Sequence, residues 1–495
     1  MSATESATAT RLLDNYVGGR WTASSSSDSL DVTNPATGDV LAQVPLSSAG
    51  DLDGAVKAAR DALPAWRAVS TIARARKLFD LRQRLLARQE DLARSVTTEM
   101  GKTLVDARAE VARMIEMVEC ACAIPTTMQG RILEDVSRNI DAETIRQPVG
   151  VCAAIVPFNF PAMVPFWFLP FAIACGNTFI LKPSEQVPMT QQIAFEELDA
   201  LGLPPGVVNL VNGSREVVEG ILEHPGIDAV SFVGSAPVAR IVYERCGATG
   251  KRVQALGGAK NHMVVMPDAV VDETVKGIIG SGFGAAGQRC MAGSVIVTVR
   301  DAYERVVPPL VEATKALRVG DGLDESNDVG PVISGAARER ISGWIDRSSK
   351  VLVDGREGVP AAGCYVGPTI VEVDADHEII GHEVFGPLLS IVRADSLDAA
   401  IAIVNSSEFG NGTSIFTESG AAVRKYKHDV EAGMVGVNIG VAAPVAFFPF
   451  SGWKASFLGD LHAHGTDAVD FYTRKKTITT RYFSETESGR YFVEN

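Results

Sequence analysis

The 495-residue sequence predicts an α/β fold: a doubly wound parallel sheet, a second α/β unit after it, and a small β arm. Three observations lead there. From Val149 onward, short apolar strands alternate with helical stretches, as in a parallel sheet covered on both faces. A second such series begins at His262. The composition, 46% hydrophobic and 21% charged, is that of a globular chain and excludes disorder along most of it. At about 150 residues per domain the length allows roughly three units.

The elements follow in order. Met1 to Thr10 are Ser/Thr/Ala-rich with no apolar run, which predicts a frayed tail and no secretory signal. Residues 50–120 read as helices, with Ala55, Ala58, Ala59, Ala62 and Leu63, then Leu78, Leu81, Leu85 and Leu86, at helical spacing. Breaks are expected at Pro64 and at Ser70-Thr71. Gly130 to Ile145 alternates (Ile132, Glu134, Val136) and predicts an exposed strand pair. Gln147 to Leu181 holds thirty-five residues without a charge, long enough for a membrane span. Prolines 148, 157, 161, 165 and 170 lie within it, and each costs a helix about 3 kcal/mol, so a buried strand–loop–helix is expected instead of a span.

The first strand series is Val151–Pro157, Thr178–Leu181, Val207–Val211, Asp228–Val233 and Arg252–Ala255. Its helices are Ala162–Ala174, Pro188–Ala200, Arg215–Leu222 and Pro237–Cys246. The second series is His262–Met266, Val295–Val299, Leu389–Arg393, Thr413–Thr417 and Met434–Asn438. Phe471 to Phe483, with Thr477, Ile478 and Thr479 alternating, predicts a late edge strand that invites a second subunit.

Charge and cysteine usage narrow the class. Lys+Arg 46 against Asp+Glu 60 gives a net charge of −14, which argues against a nucleic-acid partner. Seven scattered cysteines (120, 122, 152, 175, 246, 290, 364) fit a reducing, cytoplasmic compartment better than a disulfide framework. Cys120 and Cys122 stand too close for a C-x-x-C pair, and no metal site is expected.

Two glycine motifs fail on context. Gly282-Phe-Gly284-Ala-Ala-Gly287 matches G-x-G-x-x-G, but a helix precedes it and a strand follows, the reverse of a dinucleotide loop. Gly101-Lys102-Thr103 resembles the end of a phosphate loop, yet position 96 is Val rather than Gly. Better cofactor sites lie at the carboxyl ends of the first strands. Phe232-Val-Gly234-Ser235 ends a strand and opens a helix whose free N–H groups suit a phosphate; an ordinary capped helix accounts for the same residues. Glu185 in Lys182-Pro-Ser-Glu185 offers a carboxylate for a ribose 2′-hydroxyl, favouring NAD over NADP, or sits in a plain surface turn. Cys290 in Gly287-Gln-Arg-Cys290 is either a nucleophile, its thiolate favoured by Arg289, or a small buried hydrophobe.

Together these segments, with Pro157-Phe-Asn159-Phe-Pro161 and Glu383-Val-Phe-Gly-Pro387, resemble the aldehyde dehydrogenase superfamily from about Tyr16 to Phe483. Gly287-Gln-Arg-Cys-Met-Ala292, Val253-Gln-Ala-Leu-Gly-Gly-Ala-Lys-Asn261, Phe448-Pro-Phe-Ser-Gly-Trp-Lys454 and Asp470-Phe-Tyr-Thr-Arg-Lys-Lys476 resemble its coenzyme A-acylating methylmalonate-semialdehyde branch. The resemblance implies that Cys290 is the nucleophile and Asn159 the oxyanion donor. It implies NAD contacts at Phe158, Lys182, Glu185, Gly234, Ser235 and Glu383, with Arg113 and Arg289 as substrate anchors, since arginine grips carboxylates bidentately. It further implies an NAD-binding domain (1–127 and 148–256), a catalytic domain (257–469) and an oligomerisation arm (128–147 and 470–495) of a homodimer or homotetramer.

One departure carries the functional expectation. Hydrolytic members carry Glu-Leu-Gly-Gly, whose glutamate activates water; here the position is Ala255. A general base typically contributes about 10²–10⁴-fold, so water is a poor acceptor without one, whereas a thiol ionises more readily. The expected reaction is NAD-dependent oxidative decarboxylation of methylmalonate or malonate semialdehyde, from valine or inositol breakdown. Coenzyme A would take the product as propionyl-CoA or acetyl-CoA. The alternative is a hydrolytic semialdehyde dehydrogenase in which another acid, such as Glu383, stands in.

Overall fold

The computed structural model describes residues 11–483; the tail expected at Met1 to Thr10 and the last part of the arm segment lie outside the described residues. Five parallel strands form the heart of the first sheet, ordered Val208–Leu210, Thr178–Lys182, Val151–Ile155, Ala229–Val233, Arg252–Leu256. The chain starts in the middle and winds outward both ways, so the order reverses beside Val151–Ile155. The carboxyl ends at that reversal open the crevice where such sheets take ligands. Antiparallel strands Asn15–Val17 and Phe457–Leu458 close the two sides.

The second sheet has seven strands, with Asn261–Val265, Gly293–Val299, Leu388–Ala394, Gly412–Phe416 and Met434–Val437 where the sequence places them. Lys350–Val353 and Thr369–Glu372, which the alternation did not reveal, extend one edge. They are short and separated by a glycine-rich loop, so neither shows a sustained period. The third sheet joins Thr473–Arg481, Ile140–Pro148 and Arg131–Ser137 in antiparallel register, with Arg131–Ser137 exposed along its whole length. Thr473–Arg481 is an edge strand, as its alternation predicts.

Two expectations are corrected. Pro64 does not break a helix; it lies inside Ala49–Ala68. Leu52, Ala55, Val56, Ala59, Ala62 and Trp66 bury one face on both sides of it. Each large apolar side chain so buried contributes about 1.5–3 kcal/mol, which together outweighs the ~3 kcal/mol a proline costs. The single helix expected at Ala162–Ala174 is two, Met163–Phe166 and Leu169–Ala174. Pro170 has no N–H to bond the Phe166 carbonyl and its ring crowds that oxygen. The rejected Gly282–Gly287 motif indeed runs from a helix, Val271–Phe283, through a tight turn toward a strand. Among the described residues no helix is long and apolar enough to cross a membrane.

Candidate active site

Cys290 sits on the loop between the Gly284–Gly287 turn and strand Gly293–Val299, at the wall of a cavity of about 380 Å³. The turn is unusual: Ala285 and Ala286 both hold positive φ, 50° and 52°, a conformation non-glycine residues adopt only under constraint. The constraint is visible in the Ala285 N–H, which donates to Asp106 Oδ2 at 2.8 Å. Beyond the turn, Asn261 Nδ2 and Asn411 Nδ2 each donate to the Cys290 carbonyl at 2.9 Å. Five of the seven cysteines are buried; Cys290 and Cys364 are partly accessible, and of these only Cys290 lines the cavity.

The Cys290 thiol is pushed up to about 12, first by burial and then by the charge of Glu383; its own and the Met291 N–H groups oppose the rise, and Arg289 least. Arg289 does favour the thiolate, as expected, but its effect is the smallest of these and burial outweighs it. Arg289 is ion-paired with Asp106 and also donates to the Gly280 carbonyl at 3.2 Å, so its charge is largely neutralised elsewhere.

Asn159 lies in the irregular segment between strand Val151–Ile155 and helix Met163–Phe166, and it is buried. Its Nδ2 donates to the Gln288 carbonyl at 3.0 Å, two residues before Cys290. One amide hydrogen thus orients the side chain and the second has no acceptor among the described residues; Asn159 itself is not one of the residues lining the cavity. Phe160, Met163, Trp167 and Phe450 give the cavity apolar walls. Arg113 and Arg289 both line it, each with an acid partner; Arg113 pairs with Glu116 at 2.5 Å. A larger hollow of about 690 Å³ lies against the Gly420–Asp429 helix alone and holds none of these residues.

Lys182, Glu185, Gly234 and Ser235 lie at or just beyond the carboxyl ends of strands in the first sheet. Lys182 ends strand Thr178–Lys182, and its Nζ donates to Glu185 Oε2 at 2.7 Å. Burial lowers the Lys182 ammonium and Glu185 opposes that. Gly234 is needed as glycine: a Cβ there would lie 2.4 Å from the Phe232 ring. Ser235 is the N-cap of helix Ala236–Ala248, yet its hydroxyl makes no capping bond, leaving the helix end open to an anion. Phe158 packs edge-to-face on Phe385 with ring centroids 5.8 Å apart.

Glu383 Oε1 accepts from the Ala259 N–H at 3.1 Å, and a Cβ on Gly258 would come within 2.9 Å of Oε2. Burial raises its carboxyl to about 7, against the Ala259 bond, Lys260 and Arg340. Lys260, lowered to about 7 by burial, has no hydrogen-bond partner for Nζ. Ala255 is buried in strand Arg252–Leu256 and packs with Phe232 and Ala239.

Sequence reasoning missed Lys102, Asp106, Glu110, Asn261, Asn411 and Lys260. A signal existed for the first three: charged residues four apart, leading into an alanine-rich helix whose other side is apolar.

A match to the aldehyde dehydrogenase family spans residues 21–478. A malonate-semialdehyde dehydrogenase of Geobacillus kaustophilus (strain HTA426) is 52% identical over 96% of this chain and 100% of its own. One from Halalkalibacterium halodurans is 48% identical over 95% of this chain and 98% of its own. Among solved structures, a protein of Sinorhizobium meliloti 1021 described as a methylmalonate-semialdehyde dehydrogenase, complexed with NAD, superposes with a TM-score of 0.94 at 42% identity, covering 96% of this chain and 99% of its own. A methylmalonate-semialdehyde dehydrogenase of Oceanimonas doudoroffii matches equally, with a TM-score of 0.94, 42% identity and the same coverage, 96% and 99%.

Proposed function

As this chain belongs to the aldehyde dehydrogenase family, we propose that it oxidises methylmalonate or malonate semialdehyde with NAD and passes the decarboxylated acyl group to coenzyme A. One observation carries the reading: Cys290 lines a cavity that also presents two guanidiniums, while the position of the hydrolytic glutamate is a buried alanine, Ala255. In this reading the Gly-rich and strand-end residues before 257 hold the cofactor, residues 257–469 carry the nucleophile, and the antiparallel arm pairs with a second copy in a homodimer or homotetramer.

The steps follow from the residues. Arg113 and Arg289 receive the substrate carboxylate, exchanging part of their contact with Glu116 and Asp106. Cys290 passes its proton to solvent and its sulfur attacks the aldehyde carbon; the second Asn159 amide hydrogen and the Cys290 N–H meet the oxygen that becomes charged. When bound, NAD supplies the hydride acceptor. Phe158, Lys182, Glu185, Gly234, Ser235 and Glu383 are the residues that would hold it; the open helix end after Ser235 suits a pyrophosphate. The thioacyl group left on Cys290 carries a carboxylate β to its carbonyl. Its C–C bond breaks with loss of CO₂, and the electron pair rests on the oxygen already held by Asn159 until a proton arrives. The coenzyme A thiol then forms its bond to the acyl carbon as the bond to Cys290 breaks.

A second reading, hydrolysis to the free acid, is favoured by Glu383, a half-buried carboxyl whose charge reaches Cys290. Steady NADH formation with and without coenzyme A separates the two. Turnover that depends on coenzyme A, with acyl-CoA seen by mass spectrometry, is the expected result; sustained coenzyme A-independent turnover to free acid supports hydrolysis instead.

A further inference from the structure

Lys102 and Glu110 form the most deeply buried ion pair among the described residues, Nζ to Oε2 2.6 Å, each side chain 1% exposed. Lys102 precedes the Thr103 N-cap of helix Leu104–Cys122, and Glu110 lies two turns in. Their other bonds all reach one segment. Lys102 Nζ donates to the Asn159 carbonyl at 2.7 Å and lies 4.0 Å over the Phe160 ring. Glu110 Oε1 accepts from the N–H groups of Ala162 at 2.8 Å and Met163 at 3.1 Å. That segment has no strand or helix partner of its own before Met163, so its backbone polar groups depend on such contacts.

Between the two residues, on the same helix, Asp106 holds the other half of the site. It accepts from the Ala285 N–H at 2.8 Å and pairs with Arg289, the neighbour of Cys290. A buried ion pair is a poor source of net stability, because desolvation offsets its Coulomb attraction; its best-attested use is to specify one arrangement. We propose that Lys102 and Glu110 are positioning residues: with Asp106 they set the spacing between the Asn159 amide and Cys290. Two loops far apart in sequence are thereby referred to one rigid helix, the support an oxyanion donor needs to meet charge without moving.

This rests on the reading of Asn159 as the oxyanion donor, and a double-mutant cycle tests the two separately. The measurement is the single-turnover rate of NADH formation in wild type, Asn159→Ala, the apolar replacement K102M/E110L, and the triple variant, with thermal melts and NAD binding confirming the fold. Asn159→Ala should lose about 10²–10³-fold, the typical cost of an oxyanion donor. K102M/E110L should lose at least about tenfold in rate with a smaller change in KM, and the triple should be within about twofold of Asn159→Ala alone. E110Q, which keeps its volume and an acceptor for Ala162 and Met163, serves if the double replacement does not fold; its smaller loss should likewise vanish in the Asn159→Ala background. An unchanged rate in these variants, or losses that multiply with Asn159→Ala, overturns the positioning role. Asn159→Ala within about threefold of wild type overturns the oxyanion reading itself, and the positioning role with it.

Discussion

Two walls near Cys290 each bring a carboxyl group, one fully buried and one half-buried, and the two are treated in opposite ways. On the Leu104–Cys122 helix, Glu110 accepts two backbone N–H bonds and an ammonium, so its oxygens are well occupied. On the loop before Leu388–Ala394, Glu383 accepts one backbone bond, and the nearby Lys260 amine makes no hydrogen bond among the described residues. A saturated buried carboxylate holds geometry, because any displacement breaks several bonds together. An undersaturated one keeps the capacity to bind or to take a proton, which is why perturbed groups in clefts mark function. In the proposed reading the first wall is scaffold and the second receives a ligand.

The comparison has meaning only if both walls serve the sulfur, and the largest effect tests that. Cys290→Ala should abolish NADH formation and esterase-type turnover, and residual aldehyde oxidation at a tenth of wild type would break the scheme. In the wild type, iodoacetamide alkylation of Cys290 should rise about tenfold per pH unit from 7 to 10, because its pKa near 12 leaves the thiolate fraction far from saturation.

A smaller effect sharpens the second wall. Glu383→Gln removes the charged acceptor while keeping shape, and should cost about 10–100-fold in kcat/KM, the range for a hydrogen bond to a charged group. It should also flatten any activity change centred near pH 7, where Glu383 titrates. A pH–rate profile that keeps its inflection in the variant would remove Glu383 from that role.

The smallest effect is on stability. Lys260 is lowered from 10.5 to about 7, so the unfolded chain binds more protons than the folded one between those values. Stability attributable to it therefore rises with pH from about 7 to about 10.5. Glu383, raised from 4.5 to about 7, contributes the reverse: its share falls as pH climbs from about 4.5 to about 7. Lys260→Met, which replaces an unpartnered buried amine by an apolar chain, should raise the melting temperature by a few degrees at pH 7, an effect of about 1–3 kcal/mol at most. A lower melting temperature would show that Lys260 has a partner after all.

Legibility from sequence varied with the range of the interactions involved. Most strands of both α/β units announce themselves by short apolar runs between helical stretches, each burying a continuous surface. Lys350–Val353 and Thr369–Glu372 stay hidden because they are short and joined by a glycine-rich loop without the helical crossover that marks the other strands. Pro64 misleads for a different reason: propensity is local, and the buried face of Ala49–Ala68 overrides it from outside the helix. Arg289 shows the same limit in the site, where its neighbour in sequence is Cys290 but its charge partner is Asp106, 183 residues away.

By itself the sequence determined the alternating α/β architecture, the nucleophile candidate Cys290 and the alanine at position 255, because these are properties of residue type and short-range spacing. Only the tertiary structure decided which charges are satisfied: Lys102 with Glu110, Arg289 with Asp106, Lys260 with no hydrogen-bond acceptor and only the charge of Glu383 nearby. Burial and electrostatic pairing depend on which distant segments the sheets bring into contact, and no local pattern encodes that distance.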